Sequence, residues 1–331
     1  MTTITVLGAG GFLGSAVAAE LATRDIELRL VTRRPIELPV DSVARVTYHV
    51  VDVTEPAALL PVLTGSDVIV HLVKHSGDWR AADTDPATEV VNVGVMRTVV
   101  DAFAGRPETP LVVWTGSIGQ VGAPPPHPMN GSEPDDPHNG YDLQKLAAER
   151  ILLDGHAAGA VRGISLRLAT IFGQRPTGPT DVGVVVSMAR RALAGDALTV
   201  WGDGSVKRDL LHVDDLVAAI GTAIAEPDGL VGRYWVLGSG EVWSLRDIFE
   251  TVAGAVAVHT GRPAAPVESV PPPAHASVGD ARDVLIDPGP FRRASGWQPT
   301  VPPAEGIDRT VAVLVAGRSE ATNDTVNGAT V

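Results

Sequence analysis

The first strand of this chain ends in a glycine-rich turn, Gly8-Ala9-Gly10-Gly11-Phe12-Leu13-Gly14. An apolar run at residues 4–7 precedes the turn, and a helical pattern extends from it to about residue 23. Glycines at positions 8, 11 and 14 allow a sharp turn, a close approach of a phosphate group to the backbone and close packing of the helix on the strand. The order of strand, turn and helix predicts a site for a dinucleotide pyrophosphate at the helix N-terminus. Glycines that serve the turn alone are the alternative.

The alternation of strand and helix continues through the first half of the chain. Short apolar runs at residues 4–7, 27–31, 46–51, 68–73, 111–114 and 163–168 are separated by helical stretches. Several runs are apolar on both faces, which is typical of strands buried in a parallel sheet. We therefore predict an α/β fold: a Rossmann-type doubly wound parallel sheet over residues 1–174 and a smaller C-terminal α/β substrate lobe over 175–317, with the chain free to cross between the lobes. Residues 318–331 are polar and aperiodic, and we expect a disordered tail there.

Composition and charge exclude several classes of function. The 331 residues carry 26 Lys and Arg against 39 Asp and Glu, and the acidic excess is spread along the chain, so nucleic acid is not an expected partner. There is no cysteine, and the nine histidines show no convincing metal-ligand spacing, so no metal site is predicted. No apolar run approaches the roughly 18 residues of a membrane span, and the N-terminus shows no leader pattern. We expect a soluble, cytoplasmic protein.

The residues after the second strand bear on the choice of dinucleotide. Arg33 and Arg34 lie about 20 positions beyond the glycine turn, where an acidic residue would bind the ribose 2′-hydroxyl of NAD. A guanidinium suits a 2′-phosphate and can stack on adenine, so the pair favours NADP(H). Solvated turn arginines are the alternative. Asp52, after the third strand, is equally suited to accept a hydrogen bond from the adenine amino group and to begin a loop.

A second group of residues points to proton transfer. Tyr141 and Lys145 are four residues apart in a predicted helix, which places phenol and ammonium on one face. A free tyrosine titrates at roughly pH 10, and a fixed cation stabilises its phenolate, so we expect Lys145 to lower the pKa of Tyr141. Ser117 follows an apolar strand at the sheet edge where open α/β folds bind ligands, and is the third candidate. A turn-forming serine is its alternative.

The chain resembles the extended short-chain dehydrogenase/reductase family at motifs that follow one another over nearly the whole folded length. The matches are the glycine turn, Asp52-Val53, His71-Leu72, Asn92-Val93, the Ser117 segment, Tyr141–Lys145 and Arg167–Gly173. The resemblance implies that Ser117 polarises the substrate oxygen, that Tyr141 transfers a proton, and that Lys145 holds the nicotinamide ribose. It also implies a homodimer formed through segments near 87–104 and 141–156. The cofactor contacts it implies come from Gly8, Gly11, Phe12, Leu13, Gly14, Asp52, Val53 and Leu72.

The segments around Arg208 and Arg282 are similar to the nucleotide-sugar branch of this family. The resemblance implies that both arginines bind the diphosphate of a dTDP- or UDP-linked sugar. Two guanidinium groups on one diphosphate agree with the strength of charge-assisted hydrogen bonds. A surface ion pair with Asp209 or Asp214 is the alternative for Arg208, and an ordinary surface position is the alternative for Arg282.

Departures from this branch narrow the expected reaction. Residues 118 and 119 are Ile and Gly where the 4,6-dehydratases carry Asp and Glu, so dehydration lacks its acid and base. Thr170 replaces a usual Asn, and Lys74 and His75 lie in a stretch that looks like the keto-deoxysugar reductases of secondary metabolism. We expect all three residues to contact substrate, and for Lys74 and His75 a plain loop role is the alternative. The proline-rich loop over 123–139 is expected to border the site.

Taken with the resemblance, the sequence predicts an NADPH-dependent 4-ketoreductase of a nucleotide-linked 4-keto-6-deoxyhexose. Three alternatives remain: an NDP-sugar epimerase with bound NAD(P), a reductase of non-sugar carbonyls, and a non-catalytic NAD(P)-binding module.

Overall fold

The computed structural model describes residues 1–174, 183–273 and 279–327, and its elements follow one another in chain order. The strands are β1 (Thr3–Leu7), β2 (Glu27–Val31), β3 (Arg45–His49), β4 (Val68–His71), β5 (Leu111–Ser117), β6 (Arg162–Leu168), β7 (Thr170–Phe172), β8 (Leu198–Trp201), β9 (Lys207–His212), β10 (Arg233–Leu237), β11 (Val242–Ser244) and β12 (Val267–Val270). The α-helices are α1 (Phe12–Ala22), α2 (Pro56–Leu63), α3 (Ala87–Glu89), α4 (Val95–Asp101), α5 (Gly140–Ala157), α6 (Val184–Ala194), α7 (Val213–Ala225), α8 (Leu245–Thr260), α9 (Gly289–Ser295) and α10 (Pro303–Asn327). Shorter helical turns cover Trp79–Asp83, Val90–Gly94, Ile118–Val121 and Gly279–Ala281.

The largest sheet among the described residues has seven strands in the order β10-β6-β5-β4-β1-β2-β3. Every neighbouring pair in it is parallel. The chain leaves β1 toward β2 on one side and returns to β4 on the other, so the strand order reverses between β1 and β4. Ligands of open α/β sheets bind at such a switch point, at the carboxyl ends of the strands. The predicted Rossmann-type doubly wound sheet is confirmed.

Helices cover both faces of this sheet. On one face, α1 and α7 bury apolar side chains such as Val17, Leu21 and Leu216 against β1, β2 and β6. On the other face, α2, α4 and α5 pack on side chains of opposite orientation, among them Ile69 and Val112. Strands that bury both faces read as continuous apolar runs, which is why the sequence revealed them.

Several of the remaining elements form a second layer of structure around a separate apolar core. A sheet of order β11-β9-β7 and the parallel pair β12-β8 lie with α6, α8 and α10 around Phe172, Leu198 and Ile248. The chain returns to the large sheet twice within the predicted substrate lobe. Helix α7 packs against α1, and β10 pairs with β6 so that Trp235 lies beside Leu166. The linear boundary at 174/175 therefore does not separate the two cores, and residues 175–182 lie outside the described ranges.

The C-terminal helix differs from the sequence prediction. α10 runs to Asn327, beyond residue 318, where we predicted a disordered tail. Arginine, glutamate and alanine at 318–321 are good helix formers, and adding residues to an existing helix avoids the cost of nucleation. Residues 328–331 lie outside the described part of the chain. In the described part, no helix combines the length and apolar character that a membrane crossing requires.

Candidate active site

Three glycines of the turn after β1 are packed closely against neighbouring atoms. Gly8 adopts a left-handed φ of +83°, and its carbonyl oxygen accepts the N–H of Gly11 at 3.0 Å. A Cβ atom at Gly14 would lie 2.0 Å from that same oxygen, so the helix can approach the turn only without a side chain there. Gly10, which the sequence analysis did not single out, is also constrained: its Cβ would lie 2.3 Å from Oγ1 of Thr32.

Helix α1 begins immediately after this turn, and its N-cap, Gly11, makes no side-chain cap hydrogen bond. The amide groups of the first helical turn therefore remain directed at the sheet edge, an arrangement suited to an anionic group. The side chains of Phe12 and Leu13 pack on the core below. Gly8 abuts the end of β4, because a Cβ there would lie 3.1 Å from the N atom of Val73. These residues fit a dinucleotide pyrophosphate.

Arg33 and Arg34 extend from the end of β2 and are both exposed. The turn that carries them is fixed by Thr32, whose hydroxyl donates to the carbonyl of Arg34 at 2.6 Å and accepts its N–H at 3.2 Å. Within the described residues, neither guanidinium forms an ion pair within 4.0 Å. The pair is thus available to a phosphate group.

We predicted that Asp52 either contacts adenine or begins a loop. In this structure, Asp52 begins a loop. Its Oδ1 accepts the N–H of Thr54 at 2.9 Å and the hydroxyl of Thr54 at 2.6 Å. These hydrogen bonds hold the pKa of the Asp52 carboxyl below its usual value, and Arg33 contributes in the same direction. Val53 is half-buried beside it and packs on the core. The adenine contact stays a prediction.

Tyr141 and Lys145 lie on one face of α5, as their spacing predicts. The Lys145 ammonium is buried, donates to the backbone oxygen of Thr115 at 2.8 Å and lies 5.8 Å from the centre of the Tyr141 ring. The ring of Trp114 is 4.7 Å from the same ammonium. Because Thr115 and Trp114 belong to β5, this contact brings the amino-terminal half of α5 to the end of the strand that carries Ser117.

The protonation of this pair differs from the sequence prediction. Burial, together with the nearby Lys74, lowers the pKa of Lys145 to about 7. Burial raises the pKa of Tyr141 above its usual value, and the neighbouring Asp142 carboxylate raises it further. The lowered pKa predicted for Tyr141 is therefore wrong. Desolvation of the phenolate and the adjacent acid have a larger effect on this pKa than the cation one helical turn away.

Ser117 makes a contact that the sequence analysis missed. Its hydroxyl donates to Oδ1 of Asp142 at 3.0 Å and accepts the N–H of Gly119 at 3.0 Å. Asp142 is buried, its Oδ2 accepts a hydrogen bond from Nδ2 of Asn139 at 2.7 Å, and burial raises the pKa of its carboxyl. The available signal was an acidic residue in the first turn of the tyrosine helix together with a glycine two positions after Ser117.

The segment after β4 lies beside this group. The N–H of His75 donates to Oδ1 of Asn92 at 2.8 Å, and Nδ2 of Asn92 donates to Gln144 of α5 at 2.7 Å. Lys74 is exposed and close enough to Lys145 to lower its pKa. Leu72 is half-buried against the core. The structure thus brings Lys74 near Lys145, and fixes His75 through its backbone.

Arg208 and the segment of Arg282 meet at one place in the second layer. The guanidinium of Arg208 donates to the backbone oxygens of Arg282 at 2.7 Å and of Asp280 at 3.0 Å. The side chain of Arg282 is exposed. Asp209 instead accepts hydrogen bonds from Ser239 and Gly240, so it is not the ion-pair partner of Arg208. Thr170 opens the neighbouring strand β7 and is half-buried.

The proline-rich loop at 123–139 is held by a fully buried arginine that the sequence analysis assigned no role. Arg167 forms an ion pair with Glu149 and a second one with Asp135 of the loop at 2.7 Å. Its guanidinium stacks 3.6 Å from the centre of the Tyr234 ring, and the Tyr234 hydroxyl donates to Gly131 of the loop at 2.8 Å. Prolines and polar residues dominate this loop, and they give no sequence signal for such a partner.

Comparison with known proteins agrees with this geometry. The model of the NAD dependent epimerase/dehydratase family matches residues 4–238. The chain belongs to this family. A family member from Mycolicibacterium smegmatis, a UDP-glucose 4-epimerase, is 34% identical over 248 residues, which cover 74% of this chain and 75% of the relative. The dTDP-6-deoxy-L-talose 4-dehydrogenase (NAD(P)(+)) of Kitasatospora kifunensis is 24% identical and covers 89% of this chain and 90% of its own length.

The fold of this chain also agrees with that of a solved structure. The UDP-glucose 4-epimerase of Thermotoga maritima, crystallised with UDP-glucose, superposes with a TM-score of 0.80 at 22% identity, over 96% of this chain and 100% of the other. The resemblance to extended short-chain dehydrogenases/reductases is thereby confirmed at the level of the epimerase/dehydratase family, whose members depend on NAD(P).

Proposed function

We propose that the protein is an NADPH-dependent reductase of the C4 ketone of a dTDP- or UDP-linked 4-keto-6-deoxyhexose, in the synthesis of deoxysugars for secondary metabolites. The observation that carries the proposal is the convergence of Ser117, Tyr141 and Lys145 at the carboxyl end of β5, on the switch-point side of the sheet. Relatives that modify nucleotide sugars, including a 4-dehydrogenase of a dTDP-6-deoxyhexose, support the substrate class.

The choice of cofactor rests on the end of β2. Exposed Arg33 and Arg34 suit the 2′-phosphate of NADP(H), and similar solved structures hold NAD in some cases and NADPH in others. When bound at the glycine turn, NADPH supplies the hydride. We expect contacts to its adenosine half from Arg33 and Arg34, and to its ribose from Lys145.

The residues of this chain would then supply the proton and hold the sugar. Burial and the Asp142 carboxylate raise the pKa of Tyr141, so the phenol is protonated at neutral pH, and this is the form that can donate a proton to the oxygen at C4. Ser117 would hold that oxygen in place. Arg208 and Arg282 would bind the diphosphate, and Lys74, His75 and Thr170 would contact the sugar.

The test is NADPH oxidation in the presence of dTDP-4-keto-6-deoxyglucose. Tyr141→Phe should lower kcat by about 100- to 10,000-fold, because a positioned proton donor contributes that much, while NADPH still binds. Tyr48→Phe is the matched control, since that exposed phenol donates to Ile36 at the far edge of the sheet. Near-normal reduction by Tyr141→Phe would contradict the proposal.

An epimerase is the second candidate, and the 34% identical UDP-glucose 4-epimerase favours it. The experiment that separates the two supplies UDP-glucose to the purified protein without reductant. Formation of UDP-galactose without added NADPH would establish epimerisation in place of net reduction.

A homodimer is part of the proposal. The segments predicted to form it, near 87–104 and 141–156, carry the exposed apolar side chains Val90 and Leu143, with 52% and 54% of their surface accessible. Sedimentation velocity should give twice the mass of the 34.4 kDa chain, and charged residues at both positions should reduce it to the single mass.

A further inference from the structure

The Ser117 hydroxyl has one proton and two lone pairs with which to meet a substrate. The proton points to Oδ1 of Asp142 at 3.0 Å, and one lone pair accepts the N–H of Gly119 at 3.0 Å. The peptide unit itself is held by Gln120, whose side-chain oxygen accepts the Ser117 N–H at 2.9 Å. A substrate oxygen that approaches Ser117 therefore meets a hydrogen-bond acceptor for as long as Asp142 is ionised.

The carboxyl group of Asp142 occupies the space that the absent side chain of Gly119 leaves open. A Cβ atom at Gly119 would lie 2.4 Å from Oδ2 and 2.5 Å from Oδ1 of this carboxyl, so the glycine leaves room for the acid to reach the strand end. Oδ2 is held by Nδ2 of Asn139 at 2.7 Å. With one donor on each oxygen and little solvent contact, the carboxyl has a defined orientation toward Ser117.

Three elements of the structure surround Asp142, and they differ in the titratable groups they contribute. On α5 itself, Tyr141 is adjacent and Lys145 lies one helical turn away, and Lys145 favours the ionised acid. From the helical turn Trp79–Asp83, Asp83 caps the N–H of Gly140 at 2.6 Å. From β5 and the turn after it, the residues that touch Asp142 are Ser117 and Gly119, which do not titrate. Burial outweighs Lys145 and raises the pKa of the Asp142 carboxyl.

We propose that Asp142 is a positioning residue that sets the direction of the Ser117 hydroxyl and thereby the preference of the site for an alcohol or a ketone. The ionised acid holds the Ser117 proton, so that Ser117 accepts a hydrogen bond from a substrate hydroxyl. The protonated acid donates to Ser117 or to solvent, and the Ser117 proton is then directed to a substrate carbonyl. The inference rests on the proposed function, since it concerns the oxygen at the reacting carbon.

The protonation state of Asp142 is expected to change the affinity of the site for the ketone and for the alcohol. The equilibrium constant of the reaction is independent of the enzyme, so Asp142 does not alter the ratio of forward to reverse catalytic efficiencies. It alters how tightly the ketone and the alcohol bind at a given pH, because each form of the sugar selects one protonation state of the acid.

The experiment measures dissociation constants of dead-end complexes by calorimetry across about pH 5 to 8. The ketone dTDP-4-keto-6-deoxyglucose is titrated into enzyme with NADP⁺, and the alcohol dTDP-6-deoxyglucose into enzyme with NADPH, so that neither pair reacts. In the wild type, the ketone should bind about tenfold more weakly for each pH unit above the pKa of Asp142, because binding takes up one proton. The alcohol should not show this loss.

Two variants test whether the pH dependence of binding arises from the hydrogen bond between Ser117 and Asp142. Ser117→Ala keeps the charges of Asp142 and Lys145 and removes the hydroxyl, so ketone and alcohol should follow the same pH dependence. Asp142→Ala frees the hydroxyl at every pH, so the ketone should bind without the tenfold loss. Parallel pH profiles for the two sugars in the wild type would overturn the proposal.

A measurement without sugar keeps the inference separate from the proposed function. The carboxyl carbon of Asp142, assigned in ¹³C-aspartate-labelled protein by its absence in Asp142→Ala, is titrated in the wild type and in Ser117→Ala. Loss of the hydroxyl donor should raise the pKa of Asp142, and an unchanged pKa would refute the contact itself. If neither dTDP- nor UDP-linked sugars bind while the pKa shifts, the substrate class is wrong and the Ser117–Asp142 pair stands.

Discussion

Adding one methyl group at Gly119 tests the packing on which the Ser117–Asp142 contact depends. The backbone at Gly119 has no positive φ, so alanine is acceptable there to the backbone itself. Its Cβ, however, would lie 2.4 to 2.6 Å from three atoms of the Asp142 carboxyl group, against an ordinary contact of 3.4 Å or more. Either the acid moves by about 1 Å, or the helical turn after β5 does.

The displacement determines the expected loss of stability. Movement of the acid breaks the hydrogen bond from Ser117 and strains the one from Asn139, and charge-assisted bonds of this kind contribute about 1.5–3 kcal/mol each. Some of this is recovered from water, so we expect Gly119→Ala to lower the free energy of unfolding by about 2–3 kcal/mol. For 331 residues this corresponds to a fall in Tm of about 3–4 °C.

The assay is a double-mutant cycle measured by chemical denaturation. Asp142→Ala removes the group that clashes, so the double variant Gly119→Ala/Asp142→Ala should be about as stable as Asp142→Ala alone, with a coupling of about 2–3 kcal/mol. Gly254→Ala in α8 is the control: no atom lies within 4 Å of its Cβ, and a helix-interior alanine should stabilise slightly. Effects of the two site substitutions that add to within about 0.5 kcal/mol would refute the packing argument.

Three further outcomes concern the charged groups of the site. Replacing Arg33 or Arg34 by Ala should raise KM for NADPH about 10- to 100-fold and leave NADH nearly unchanged, and equal losses with both cofactors would remove the case for a 2′-phosphate contact. Arg208→Met should weaken dTDP binding in calorimetry about 10- to 100-fold without altering NADPH affinity, and unchanged dTDP affinity would exclude a diphosphate role. Lys74→Gln removes a like charge, so it should raise the pKa of Lys145 above about 7 and move the alkaline limb of the pH–rate profile upward; a shift downward would contradict the assigned electrostatics.

Local patterns in the sequence were sufficient for the parts of the fold that depend on neighbouring residues. The glycine turn, the strands of the large sheet and the shared helix face of Tyr141 and Lys145 each follow from spacing within a few positions. The pairing of β10 with β6 joins residues about 70 positions apart, and no local pattern encodes it. The sequence allowed the chain to cross between the lobes, but it did not show that β10 is the strand that joins the large sheet.

The pKa values of the site residues were harder to predict than which residues form the site. The sequence places a cation one helical turn from Tyr141, and this suggests a lowered phenol pKa. The structure adds burial of both groups and a carboxylate beside the phenol, and the pKa of Tyr141 rises instead. Burial and the Ser117–Asp142 contact depend on how α5 lies against β5, which requires the three-dimensional packing rather than the order of residues.

The identity of residues 118 and 119, which are Ile and Gly, bears on whether the site could dehydrate a sugar. Acidic side chains at these positions, which the resemblance associates with dehydration, would project from the turn after β5. Here the space at Gly119 is filled by an acid that enters from α5. Its two oxygens accept hydrogen bonds from Ser117 and Asn139, so the carboxyl is held to the protein and acts on the substrate through the serine hydroxyl. A side chain at position 119 would have to displace the Asp142 carboxyl, because a Cβ atom there would lie 2.4 Å from its Oδ2. Under the proposed function, we therefore expect the site to exchange hydrogen at a carbonyl rather than to eliminate water.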